Sequence, residues 1–136
     1  MNRERLKADL YRDEGVRAKP YRDTVGKLTI GVGRNLDDRG LAEDEIDHLL
    51  ENDIDGVIRD LDRAFPWWTH MTEGRRRALA NMAFNLGIFR LMKFEKMLAY
   101  LAIGNYGQAS KEALDSRWAD QVGARARRIA ELFRTG

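Results

Sequence analysis

The sequence predicts an α+β fold that is mostly α, with a small β-hairpin lobe and a larger helical lobe joined by a long helix, leaving a cleft between them. Three observations predict it. Glycines and β-formers crowd into one stretch, "YRDTVGKLTIGVG", Tyr21 to Gly33. Everything after Gly40 carries helical periodicity. One amphipathic run, from Leu41 to Phe65, is long enough to bridge two lobes. The 136 residues fit one domain, 1–136, with the small lobe over 14–40 and the helical lobe over 61–136 plus the N-terminal helix.

Arg3 to Asp13 reads as a helix, with Leu6 and Leu10 one turn apart. Gly15 is expected to stop it in the left-handed cap position, and Pro20 bars continuation. "KPYRD" and "KLTIGVG" read as two short strands, and "TVGK" supplies the glycine of a hairpin loop. In the long run, Ile46, Leu49, Leu50, Ile54, Val57, Ile58 and Leu61 share a face, and Glu43, Asp44 and Glu45 suit a helix N-terminus. Pro66 is expected to end this helix. Thr72 can cap "EGRRRALANMAFNL", which Gly87 closes. "LMKFEKMLAYLAI" reads as a helix closed by Gly104. "YGQASKEAL" and "ARARRIAELF" are two more, with Ser116 opening a short turn between them.

The chain has no cysteine, so it carries no disulfide framework and no thiolate metal site. Only His48 and His70 offer imidazole and nothing pairs them, so no metal is expected. Charged residues make up 34% of the chain, yet the net charge is +2. Arg75 to Arg77 and Arg125 to Arg128 lie in separate helices with acids nearby. That pattern lacks the continuous basic stripe of a nucleic-acid binder. No run approaches a membrane span, and "MNRERLKADLYRDEG" lacks the apolar core of a signal peptide. The expectation is a protein held in the cytoplasm until something else releases it.

Acids stand where the structure changes type. Glu14 ends the first helix, where unsatisfied carbonyls disfavour negative charge, which suits a proton donor. Asp23 lies at the hairpin mouth, more solvated. A five-residue loop, Thr24 to Leu28, would set Thr29 opposite Asp23, so that hydroxyl and carboxylate hold one water. Gly31 and Gly33 let the backbone pass close to other groups. Two carboxylates with different environments flanking a cleft are what glycoside hydrolysis needs. Acids near helix ends and turns are also commonly structural, and spacing alone favours that plainer reading.

"DEG" followed by "YRDTVGKLTIGVG" resembles the bacteriophage-type lysozymes. "RRRALANMAFNLG", "KFEKML" and "SRWADQVGARARRIAELFRTG" resemble that family's helical lobe in the same order, so the resemblance spans nearly the whole chain. It implies a muramidase that hydrolyses the β-1,4 bond from N-acetylmuramic acid to N-acetylglucosamine in bacterial peptidoglycan, without metal or cofactor. It implies Glu14 as general acid, Asp23 and Thr29 positioning the water, and inversion at the anomeric carbon. It implies a monomeric endolysin for host lysis, not inserted in the membrane, kept in the cytoplasm until a holin-type protein gives access to the wall in the periplasm.

The resemblance also assigns Arg125 to an arginine that approaches the catalytic glutamate, and Arg128 to one that approaches Asp13. Whether helix end or arginine governs the charge of Glu14 stays open. Asn85 stands where relatives carry a polar amide lining the cleft, and a simple helix cap is an equal reading. Relatives commonly carry histidine where this chain has Arg34. Their histidine pairs with an aspartate matched by Asp53, so an Arg34–Asp53 salt bridge is expected. The chain reaches its long helix sooner than the longer members, which implies a shorter cleft floor. Trp67, Trp68 and Trp118 read as core rather than sugar platforms. A lytic transglycosylase would cut the same bond without water, and Asp23 and Thr29 argue against it. A wall-binding or virion structural module would have no need of Glu14.

Overall fold

The computed structural model describes Met1–Gly136. The chain is mostly helical with one three-stranded antiparallel sheet, in line with the fold class expected. It divides into two compact units, Met1–His48 and Leu49–Gly136.

The first unit opens with α1 (Arg3–Glu14), whose first turn is capped by Asn2 accepting from the Arg5 amide at 2.9 Å. Gly15 ends α1, but at φ 76° and ψ 173°, so the chain leaves extended instead of curling through the left-handed helical cap. That exit sends it directly into β1 (Arg17–Arg22), which contains Pro20. Proline has no N–H for a ladder, and the register with β2 (Leu28–Gly31) slips between Arg17 and Tyr21, around that residue. Beyond the slip Tyr21 pairs with Thr29 and Arg22 with Leu28. Thr29 therefore stands opposite Tyr21, not opposite Asp23 as expected. The reason is the turn: the Asp23 amide donates to the Lys27 carbonyl at 2.9 Å, so the hairpin closes one pair earlier.

A third strand, β3 (Arg34–Asn35), was not legible in the sequence. Its Arg34 donates to Glu45 through both terminal guanidinium nitrogens, at 2.7 and 2.8 Å, and to the Gly40 carbonyl at 3.2 Å. Glu45 thus replaces Asp53 as the partner of Arg34. Glu45 lies in the first turn of α2 (Glu43–Ala64) and also accepts from the Ala42 amide at 2.9 Å, the reciprocal half of a capping box. Its carboxyl is held far below the ordinary range, at about 2, first by the Arg34 hydrogen bond and then by the Ala42 amide.

The second unit holds the apolar core. A short 3-10 helix (Pro66–His70) continues from α2 beyond Phe65, so Pro66 starts a new turn as well as ending the old one. Then follow α3 (Glu73–Leu86), α4 (Ile88–Leu91), α5 (Glu95–Ala102), α6 (Tyr106–Leu114), α7 (Arg117–Val122) and α8 (Ala124–Thr135). Leu61, Leu79, Met82, Leu91 and Phe133 have no exposed surface. Thr72 occupies the cap position of α3 without capping it; its hydroxyl donates to the Gly136 carbonyl at 2.9 Å. Ser116 caps α7, accepting from the Ala119 amide at 3.1 Å. Of the apolar face of α2, only Leu61 is buried.

Candidate active site

Glu14 is the last residue of α1, and its side chain is exposed. It lies along Gly33, in the turn between β2 and β3. A methyl placed on Gly33 would come within 2.7 Å of Glu14 Oε2. Asp13 beside it is paired with Arg12 at 2.9 Å, which leaves Glu14 as the uncommitted carboxyl of the helix end.

Asp23 stands at the other end of the hairpin. Its Oδ1 accepts from the amides of Val25 at 2.9 Å and Lys27 at 2.8 Å, a side-chain mimic of a backbone turn. One carboxylate oxygen is spent on the turn, and no hydrogen bond from the protein engages the other. Alternation along the ladder sets Asp23 and Thr29 on the same face of the hairpin, diagonal to each other. Thr29 is 3% exposed, and its hydroxyl donates to the Lys27 carbonyl at 2.8 Å. With its proton committed, Oγ1 has only lone pairs to offer, so it can accept from a water but not donate to one.

The turn is braced from outside. Lys27 pairs with Asp38 at 3.0 Å, and Asp37 accepts from the Leu28 amide at 2.8 Å. The Asp38 hydrogen bond raises the Lys27 ammonium above its usual range, with Asp37 and Asp23 adding to it, and the Lys27 hydrogen bond lowers the Asp38 carboxyl. A cation therefore stays beside Asp23 across the ordinary pH range.

In the second unit, Arg125 of α8 donates from Nε to Asn81 Oδ1 on α3 at 2.9 Å. Both line a groove of about 430 Å³ with an apolar floor that includes Ile54, Ile58 and Phe84. Asn81 had no signal in the sequence; only the packing of α8 on α3 gives Arg125 that partner. Asn85 is exposed, and its Oδ1 accepts from the Trp118 indole at 2.7 Å. Trp68 and Trp118 are buried, as expected of core residues, and Trp67 is half-buried. Trp68 Nε1 finds Asp62 at 2.7 Å, so each buried indole keeps a partner.

The family model for phage lysozyme matches residues 11–133. The chain is 30% identical to the pre-baseplate central spike protein Gp5 of Enterobacteria phage T4, over 93% of this chain but 27% of that protein. It spans about a quarter of that relative's length. It is 29% identical to the probable T4-type lysozyme 2 of Dictyostelium discoideum, over 96% of this chain and 94% of the relative. It is 29% identical to the SAR-endolysin of Escherichia phage Mu, over 88% and 69%. With 123 consecutive positions, residues 11–133, under one family model, the chain belongs to the phage lysozyme family.

Proposed function

We propose that the protein lyses bacterial peptidoglycan as an inverting muramidase, cutting the β-1,4 bond from N-acetylmuramic acid to N-acetylglucosamine. Family membership supports the substrate class. The observation that carries the chemistry is the state of the hairpin hydroxyl: Thr29 donates its hydrogen bond to the Lys27 carbonyl, and Asp23 keeps one oxygen off the turn. A water donating one hydrogen to Asp23 and the other to Thr29 Oγ1 turns a lone pair outward. That lone pair attacks the anomeric carbon. Asp23 takes up the water's proton as the new C–O bond forms. Glu14 gives its proton to the departing sugar oxygen as the old bond breaks. The products are two shortened glycan ends, with the new anomeric hydroxyl on the face opposite the old bond. No metal or cofactor has a part in this scheme. Arg125 and Asn85 are proposed to bind substrate.

The test is loss of turbidity in a suspension of purified wall. Glu14→Gln keeps size and hydrogen bonding but has no carboxylic proton, so activity should fall about 10²–10⁴-fold while the unfolding midpoint stays near that of the wild type. Full activity in Glu14→Gln would end the proposal in this form.

Access to the wall through a lesion made by a holin-type protein belongs to the same proposal. No helix is long and apolar enough to cross a membrane. A second reading, a lysozyme domain carried by a virion component, is favoured by the likeness to a phage spike protein. It keeps the same chemistry and differs in how the domain is delivered.

A further inference from the structure

We infer that Gly33 is a positioning residue whose bare Cα face seats the Glu14 side chain and so fixes where its proton is delivered. The inference rests on Glu14 being the general acid. A methyl on Gly33 would lie 2.7 Å from Glu14 Oε2, 3.0 Å from Cδ and 3.3 Å from Cγ. Three successive atoms of the acid therefore run along the glycine, so the contact follows the side chain and does not end at its tip. Glu14 is exposed and has no ion pair. An exposed glutamate on a helix end samples many rotamers. The wall of backbone at Gly33 removes those that swing across the turn. General-acid catalysis is sensitive to this, since a misplacement of about 1 Å costs about 10²-fold in rate.

The hairpin contains its own control. Gly31 has φ +67° and Gly33 has φ +64°, so alanine takes a positive φ, with the strain that goes with it, at either position. A Cβ on Gly31 meets nothing within 4 Å. Only at Gly33 does the new methyl collide with the acid. A role confined to backbone conformation would leave the Glu14 carboxyl signal unmoved in both substitutions.

The experiment compares Gly33→Ala with Gly31→Ala in the full chain, each with Glu14 present and with Glu14→Ala. Wall hydrolysis, thermal unfolding and the carbon-13 signal of the Glu14 carboxyl are measured. The expected result is a kcat for Gly33→Ala on the order of 10²-fold below that of Gly31→Ala, with KM alike. The Glu14 carboxyl signal should move in Gly33→Ala and stay in Gly31→Ala. Any difference in melting between Gly33→Ala and Gly31→Ala should be small, because the exposed Glu14 side chain can swing aside, and it should narrow once Glu14→Ala has opened the space. If Gly33→Ala does not fold, the pair of Glu14→Ala with Gly33→Ala should still fold. Failure of that pair overturns the inference. So does equal kcat for the two alanines, or an unmoved carboxyl signal in Gly33→Ala. An inactive wild type would instead overturn the muramidase reading, and the carbon-13 comparison would still decide the seat.

Discussion

Asp23 has two tasks that substitutions can separate. Its Oδ1 ties the turn through two amides, and its other oxygen is the proposed acceptor for the water's proton. Asn keeps an Oδ1 acceptor and loses the charge. Ala loses both. Asp23→Asn should therefore retain the fold and lose most wall-lytic activity. Asp23→Ala should lose activity and about 1–2 kcal/mol of stability as well, read from denaturant midpoints. An active Asp23→Asn would free Asp23 from the chemistry and leave it a turn residue. At this scale the sequence was informative because the positions are local. Glu14 at a helix end and Asp23 at a turn follow from breakers such as Gly15 and Gly26. The partner of Arg34 was not legible. The choice between Glu45 and Asp53 depends on where β3 ends and α2 begins, and both acids lie in an acid-rich helix.

Elements were legible where a cap or a glycine marks their ends. α6 runs over the Tyr106–Leu114 stretch read from the sequence, opened by Asn105, which accepts from the Gln108 amide. The run from Leu91 to Ile103 did not stay one helix. The backbone turns at Lys93 and Phe94, and α4 and α5 lie on either side. Strand β3 is two residues long, too short to show alternation, and Arg34 anchors it to the start of α2 through Glu45. That anchor is sensitive to acid. Glu45 titrates at about 2 in the folded chain against 4.5 for the free group. The folded state thus favours the ionised form, and the stabilisation is complete above pH 4.5. It is lost as pH falls from 4.5 toward 2. Glu131, held down by Arg134, and Asp38, held down by Lys27, lose theirs in the same direction. Glu45→Gln should flatten the acid limb of a stability–pH curve and lower stability at neutral pH. An acid limb identical to that of the wild type would show that the Arg34 pair contributes nothing.

At the scale of the whole molecule, burial is uneven. Thr29 is the one buried residue of Met1–His48, whereas the apolar core from Leu61 to Phe133 lies in the second unit. Periodicity showed which residues of α2 share a face but not what covers them, and Ile46, Leu49 and Leu50 are exposed. A hairpin with no apolar core of its own opens at low free energy. Hydrogen exchange should therefore find the β1 and β2 amides unprotected well before those of α3 and α8. Phe133→Ala should cost about 3–5 kcal/mol of the helical unit's stability. Uniform protection across hairpin and helices would show that the first unit is held as firmly as the core.

The central claim is that Asp23 and Thr29 hold a water that attacks while Glu14 protonates the leaving sugar. The stereochemistry of the first product tests it most directly. Proton NMR of purified wall in the first minutes of digestion, before mutarotation, should show the α-anomer of the new reducing end, inverted from the β-linked substrate. A first product in the β configuration would make Asp23 a nucleophile or leave the water to another group, and would contradict the account.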